Sequence, residues 1–206
     1  MNWAIIAIVI SILCIFLFFW RFEKAEVSAK EIVLIATMTT LAGIARVPFA
    51  AFPSVQPTTF LVMITGYVFG GQTGFVVGAL TAVVSNFFLG HGPWTLWQML
   101  GWGVCGVLAA LLAKMRARSP HGFSVKTFAV LAAFSGYLFG WIQNIWHWLG
   151  FVYPLNLKTF LVTCLASFPF DTLHVISNLL FSLVFGKIFY DVLNRFRLKF
   201  RVEYID

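Results

Sequence analysis

The chain has 206 residues, of which 61% are hydrophobic and 10% are charged. Soluble domains carry about 25% charged and about 45–50% apolar residues, so a soluble fold of this length could not cover so much apolar surface. The composition therefore predicts an integral membrane protein, and 24 Phe and 8 Trp without low-complexity runs exclude disordered and fibrous chains. The three cysteines lie in apolar runs without CxxC spacing, so we expect no disulfide framework, metal site or cofactor.

Apolar segments in chain order predict seven helices, because a hydrocarbon core of about 30 Å needs roughly 20 apolar residues in helical form. The first segment, Asn2–Trp20, lacks a basic start and a small-residue cleavage site, so we expect a retained transmembrane helix and not a signal peptide. Pro169 is expected to end or kink a short apolar segment, 158–168, ahead of the last span. The predicted helices are 2–20, 32–47, 58–69, 73–89, 96–113, 125–149 and 170–193.

The positions of the cationic residues predict the orientation of these helices. Twelve of the fourteen Lys and Arg fall in three groups that alternating topology places on one face, while Arg46 and Lys158 lie on the other. The positive-inside rule makes the richer face cytoplasmic, so we expect a multi-pass plasma-membrane protein with its N-terminus outside and its C-terminus inside. The net charge of +7 then reflects topology and contact with the lipid bilayer, with no nucleic-acid partner.

The predicted architecture is all-α, a polytopic membrane helix bundle with a six-helix core and one extra N-terminal transmembrane helix. The extra helix takes 1–24, the six-helix membrane domain 25–194, and a basic cytoplasmic tail 195–206. Glycines recur at every fourth position from 66 to 78, and a GxGxxG sequence covers 101–106. Neither a strand nor a suitably placed acidic residue accompanies that motif, so both glycine patterns predict close helix packing and not dinucleotide binding.

Polar residues gather near the outer side of the bundle. Of the two carboxylates within a predicted span, Asp191 lies at the basic C-terminal end, whereas Asp171 with His174 and Asn178 follows the i, i+3, i+7 spacing of one helix face. An ionisable group at such depth usually faces a cavity, although hydrogen bonding between helices explains the same spacing. Asp171 either contacts a substrate directly or orients His174. The alternative explanation for the tryptophans is the general preference of Trp for the membrane–water interface. The candidate substrate-binding residues are Asn86, His91, Trp94, Trp97, Gln98, Asn144, Trp148, Asp171, His174 and Asn178.

Four segments are similar to the S components of energy-coupling factor (ECF) vitamin transporters. They are the Pro-rich loop 48–57, the glycine turn 69–74, the segment 86–99 with its Gly-Pro-Trp-Thr sequence, and 170–178. The resemblance, which covers about residues 30–193, implies a six-helix subunit without ATPase activity that captures a vitamin outside and topples in the bilayer. It also implies a transmembrane coupling subunit and cytoplasmic ATPases as partners, and the chain itself has no Walker A sequence.

The resemblance leaves the vitamin open. The Gly-Pro-Trp-Thr segment is most similar to cobalamin-associated members, and corrin amides would suit the predicted Asn, Gln and His partners, while riboflavin or another ring vitamin is the alternative. The family docks on its coupling subunit through an Ala-xxx-Ala pattern on the first core helix. The nearest counterparts here are the pairs Ala25/Ala29 and Ala36/Thr40, of which Ala29, Ala36 and Thr40 are the candidate docking residues.

Two other functions compete with this interpretation. Residues 133–136, Ala-Phe-Ser-Gly, are similar to the Gly-x-Ser-Gly of rhomboid intramembrane proteases, in which case Ser135 and His174 would form the dyad. The predicted spans separate these two residues by roughly 10 Å in depth, so we expect no catalytic residue. A stand-alone secondary carrier would need ionisable groups deep in the bundle, and only Asp171 qualifies.

Overall fold

The computed structural model describes residues 3–25, 27–117 and 122–200. These ranges form seven α-helices and one 3-10 turn without a strand, which confirms the predicted all-α membrane bundle. Six of the seven helices are long and apolar enough to cross a membrane. The described residues do not include Arg118, one of the predicted cytoplasmic cations, or positions 201–206 of the predicted tail. The elements are α1 Trp3–Lys24, α2 Ala29–Ile44, the 3-10 turn Val47–Phe49, α3 Thr58–Phe69, α4 Gly71–Leu89, α5 Trp94–Arg116, α6 Val125–Phe151 and α7 Leu157–Phe200.

The shortest helix, α3, is the centre of the bundle. It packs against α4, α5 and α7, and its residues from Thr58 to Val68 are all buried. Twelve residues give a helix of about 18 Å, which is shorter than the hydrocarbon core, so protein groups must satisfy its ends. Thr58 donates a hydrogen bond to the Ala42 carbonyl at 3.2 Å, and Arg197 donates one to the Val68 carbonyl at 3.3 Å.

Glycines let α3, α4 and α5 cross at backbone contact. A Cβ at Gly74 would lie 2.6 Å from the Gly66 Cα, and a Cβ at Gly106 would lie 2.5 Å from the Gly74 carbonyl oxygen. Gly70, with φ of 103°, makes the turn between α3 and α4 in a conformation that other residues rarely adopt. The packing interpretation of both glycine patterns is confirmed.

The prediction that the last span begins after Pro169 is wrong. Helix α7 runs without interruption for 44 residues, from Leu157 to Phe200, and contains Pro169. Proline removes one backbone donor, which leaves the Leu165 carbonyl without its helical partner, and membrane bundles tolerate such losses where neighbouring groups compensate. As a result Ser167 lies one helical turn before Asp171, on the same face of a continuous helix.

The extra helix α1 lies against α4, α5 and α6. The Phe18 ring stacks on Phe75 of α4 with ring centroids 3.8 Å apart and planes 11° from parallel. Ser11 and Ile15 are buried on the same side, whereas most other α1 side chains are exposed and suited to face lipid. Helix α1 is therefore attached along one narrow stripe, on the part of the bundle formed by α4 to α6.

Candidate substrate-binding cavity

A cavity of about 460 Å³ lies at one end of the bundle, between the loop that follows α2 and helices α6 and α7. Two oppositely charged side chains, Arg46 and Asp171, line it without pairing, because the single ion pair among the described residues joins Lys187 to Asp191. The cavity therefore contains one cationic and one anionic side chain that are not paired with each other. Its lining residues are Arg46, Phe49, Ala50, Phe52, Pro53, Ser54, Gln56, Leu89, Phe139, Gly140, Gln143, Asn144, Asp171 and His174.

Arg46 connects the loop to the rest of the bundle. Its Nε donates to the Gln56 Oε1 at 2.8 Å, and its Nη1 donates to Ser85 Oγ and Asn86 Oδ1, each at 3.1 Å. The guanidinium carbon also lies 5.2 Å from the centroid of the Trp102 ring, within cation–π range. A guanidinium has five N–H donors, and within the described residues Nη2 has no hydrogen-bond partner, so it is available to a ligand.

Two of the predicted site residues, Asn86 and Gln98, do not line the cavity but belong to the hydrogen-bond network that holds Arg46. The Asn86 side-chain amide donates to Thr95 Oγ1 at 2.9 Å and to Gln98 Oε1 at 2.7 Å. These bonds leave the Asn86 oxygen oriented toward the Nη1 of Arg46. Asn86 and Gln98 are thus groups that position the cation, and they join the C-terminal end of α4 to the N-terminal end of α5.

Asp171 is held by a short chain of hydrogen bonds from α6 to α7. The Asn144 amide donates to Ser167 Oγ at 2.7 Å, and Ser167 Oγ donates to Asp171 Oδ2 at 2.7 Å. A Cβ at Gly140 would overlap the Asp171 carboxylate, so the absence of a side chain there creates the space that the carboxylate occupies. The sequence predicted Asn144 and Asp171 as site residues, and both line the cavity.

His174 and a set of aromatic rings form the floor. His174 Nε2 lies 2.8 Å from Thr59 Oγ1, which also accepts a hydrogen bond from Trp102 Nε1 at 3.1 Å. The Phe139 ring packs edge-on against His174 with centroids 5.2 Å apart and stacks on Trp102 at 4.9 Å. This floor combines apolar rings with one polar nitrogen, which suits a planar heterocycle.

The serine–histidine pair of the protease alternative does not form. Ser135 is buried and its Oγ donates to the Leu131 carbonyl of its own helix at 2.9 Å. The Nε2 of His174 pairs with Thr59 instead. Ser135 therefore has neither the general base nor the exposure that a nucleophile requires.

The remaining predicted residues lie away from the cavity wall. Asn178 is fully buried and donates to the Ala132 carbonyl of α6 at 3.1 Å. It therefore forms a hydrogen bond between helices, which was the alternative explanation for its spacing. Trp148 donates to Thr159 at 2.9 Å, and Trp97 is buried with an indole nitrogen that has no partner among the described residues. The residues in this group are His91, Trp94, Trp97, Trp148 and Asn178.

Sequence reasoning missed several groups that build the site. Arg46 entered only as a topological charge, although a single cation beside a Pro-rich outer loop was a usable signal. Thr59 and Trp102 carried no local signal, because their role depends on contacts across the bundle. Gln56 and Gln143 also line the cavity without having been selected.

The residues predicted to dock a partner share one exposed face of α2. Ala29, Ala36 and Thr40 are all exposed. A groove of about 550 Å³ between α2 and α7 begins at Ala29 and Lys30 on this side. The three small residues are thus accessible on the surface of α2.

Comparisons with known proteins agree with one of the families considered. A family model described as ECF-type riboflavin transporter, S component, matches residues 26–195. A UPF0397 protein of Aliivibrio fischeri is 32% identical over 126 residues, covering 56% of this chain and 68% of that protein. A UPF0397 protein of Vibrio atlanticus is 32% identical, covering 55% of this chain and 67% of that protein. A UPF0397 protein of Aliivibrio salmonicida is 30% identical, covering 56% of this chain and 68% of that protein. No solved structure matches the chain significantly.

Proposed function

We propose that this chain, which belongs to the family of S components of ECF-type riboflavin transporters, binds a flavin-sized ring vitamin in its polar cavity. An S component is the substrate-binding membrane subunit of its transporter, so the chain is a multi-pass plasma-membrane transport protein and not an enzyme. The observation that carries the proposal is the cavity of about 460 Å³ beneath the loop that follows α2.

The volume of the cavity favours a flavin over cobalamin. Sites for small ligands range over about 300–1,000 Å³ and enclose most of the ligand. A cavity of 460 Å³ suits a tricyclic flavin ring, whereas a corrin with its attached nucleotide is several times heavier and would need the loop to move aside. The family match, which is of riboflavin type, supports the same choice, and the cobalamin preference drawn from the Gly-Pro-Trp-Thr segment has no support beyond that segment.

The chemistry of the lining suits such a ring. Phe139 and Phe52 offer apolar faces, and the unpaired N–H groups of Arg46 can donate to carbonyl oxygens. The Asp171 carboxylate can accept from the imide N–H of an isoalloxazine, and the Gln143 amide can donate to its carbonyl oxygens. A neutral ligand with both hydrogen-bond donors and acceptors would pair with Arg46 and with Asp171. Neither charged side chain would then be buried without a partner.

Ligand titration with a cavity-filling variant tests this proposal. Ala50 lines the cavity and Ala51 does not, although both are exposed neighbours in the same loop. We expect purified protein in nanodiscs to quench riboflavin fluorescence on binding, with no saturable binding of cobalamin. Ala50→Trp should weaken riboflavin binding at least tenfold, whereas Ala51→Trp should bind as the wild type does. Equal binding by both variants would place the ligand elsewhere, and tight cobalamin binding would overturn the choice of vitamin.

Transport is proposed to require a coupling subunit and two cytoplasmic ATPases, with capture on the outer face. The charge distribution supports this orientation, since Arg46 lines the cavity and none of the described cations predicted on the cytoplasmic side does. The exposed small residues of α2 are the proposed docking surface, and the N-terminal segment 1–24, which contains α1, is proposed to lie outside the six-helix domain 25–194. Ala36→Trp should abolish uptake by the reconstituted complex without changing riboflavin affinity. Uptake by the chain alone would instead indicate a secondary carrier.

A further inference from the structure

The hydrogen bonds under the cavity floor fix one proton on His174. Trp102 Nε1 can only donate, so Thr59 Oγ1 must accept from it at 3.1 Å. The Thr59 hydroxyl has one proton to donate, and its other partner among the described residues is His174 Nε2 at 2.8 Å. The Thr59 oxygen has two lone pairs and could also accept from an Nε2–H, but the buried Thr59 proton would then have no acceptor among the described residues, which is the costlier arrangement. The Thr59 proton is therefore donated to Nε2, which acts as the acceptor.

An accepting Nε2 leaves the proton of neutral imidazole on Nδ1. Nδ1 has no hydrogen-bond partner in the described part of the chain, and the His174 ring lines the cavity. Phe139, packed edge-on at 5.2 Å, restricts rotation of the ring, so the orientation of Nδ1 is set by both hydrogen bonding and packing. One N–H donor is thus held ready at the cavity wall without a protein acceptor.

We propose that His174 is a specificity-determining residue that donates its Nδ1–H to a hydrogen-bond acceptor on the buried edge of the substrate, as a carbonyl or a pyridine-type nitrogen would provide. This inference rests on the proposed function and narrows its substrate class. Arg46 supplies further donors on the same cavity, and Asp171 supplies an acceptor one helical turn from His174. Ligands that replace the acceptor by a C–H or N–H group leave the buried donor unpaired, and they are rejected for that reason.

The proton position is measurable without any ligand. Nitrogen NMR of protein labelled with ¹⁵N-histidine distinguishes a protonated ring nitrogen from a bare one, and the chain has four histidines to resolve. The His174 signals, assigned by their loss in His174→Gln or His174→Asn, should show a protonated Nδ1 and a bare Nε2 at neutral pH. A protonated Nε2, or a mixture of the two tautomers, would overturn the inference.

A matched pair of substitutions tests recognition. The asparagine amide in His174→Asn occupies roughly the position of Nδ1–H, while the glutamine in His174→Gln reaches the position of Nε2 and so keeps the contact with Thr59. We expect His174→Asn to bind riboflavin within about threefold of the wild type, and His174→Gln to bind about tenfold or more weakly. Equal effects of the two variants, or none, would assign His174 a purely structural role.

A wrong vitamin assignment and a wrong role for His174 give different experimental results. If wild-type protein binds no riboflavin, the proposed function is wrong, and the tautomer spectrum alone then decides whether His174 presents a donor. If riboflavin binds but His174→Gln binds as well as His174→Asn, the proposed function stands and the inference about His174 is wrong. A flavin analogue without carbonyl oxygens should lose affinity for the wild type and lose little further in His174→Gln.

Discussion

Replacing Arg46 by methionine removes the guanidinium while keeping most of the apolar stem, so it isolates what the cation contributes. The loss affects three hydrogen bonds and one cation–π contact. Ser85 still donates to the Ala82 carbonyl, and Gln56 is half-buried beside the cavity where water can replace the missing donor. Asn86 is 2% exposed, so its oxygen loses a donor that water cannot easily replace.

The expected cost follows from these differences. A buried acceptor left without its partner costs about 1–3 kcal/mol, and a desolvated cation–π contact contributes up to about 2 kcal/mol. We therefore expect Arg46→Met to lower the free energy of unfolding by about 3 kcal/mol, measured by SDS titration in mixed micelles. The affinity for riboflavin should fall at least tenfold as well, because the unpaired donors on Nη2 disappear.

Lys158→Met is the matched control. Lys158 is the other cation predicted on the outer side, it is exposed, and removing it changes the net charge by the same amount. An exposed substitution of this kind should change the free energy of unfolding by less than about 0.5 kcal/mol. If the two variants unfold at the same SDS fraction and bind riboflavin equally, Arg46 is not the connection between the loop and the bundle that its contacts indicate.

Three further predictions rest on single side-chain environments. Gly140→Ala should displace the Asp171 carboxylate and weaken riboflavin binding in fluorescence titrations, whereas Gly150→Ala, with open space around its Cβ, should leave affinity unchanged. Gly106→Ala should destabilise the bundle by about 2 kcal/mol or more in SDS unfolding, because its Cβ meets the backbone of α4, and an unaltered midpoint would contradict the close crossing. Trp97→Phe removes an indole nitrogen that has no partner in the described chain but also leaves a cavity, so the unfolding free energy should fall by less than about 3 kcal/mol, and a larger loss would reveal a missing contact.

The sequence predicted the number of helices well because the signal for a membrane span is summed over about 20 residues. The start of α7 was misplaced because one residue, Pro169, was given more weight than the apolar segments on both sides of it. That error concealed Ser167, whose i, i+4 relation to Asp171 would have been evident on a continuous helix.

The site was predicted less completely, for a different physical reason. Asp171, His174 and Asn144 were identified because polar groups at membrane depth are costly and conspicuous. Their partners are distant in sequence: Thr59 lies 115 positions from His174 and 43 from Trp102, and Ser85 lies 39 from Arg46. Such contacts depend on how helices pack, and spacing along one chain segment does not encode that. Asn178 had the right spacing, but its side chain bonds the α6 backbone at Ala132 instead of a ligand.

Mass spectrometry of the small molecules released from gently purified, detergent-solubilised protein tests the central claim most directly. A substrate-binding subunit that holds its ligand in a cavity of about 460 Å³ should retain it through gentle purification, so we expect one flavin-type ring compound per chain, released on denaturation and reduced in amount in Ala50→Trp. Protein that releases no such compound, and that also fails to bind added riboflavin after reconstitution in nanodiscs, would contradict the assignment of the cavity as a vitamin site.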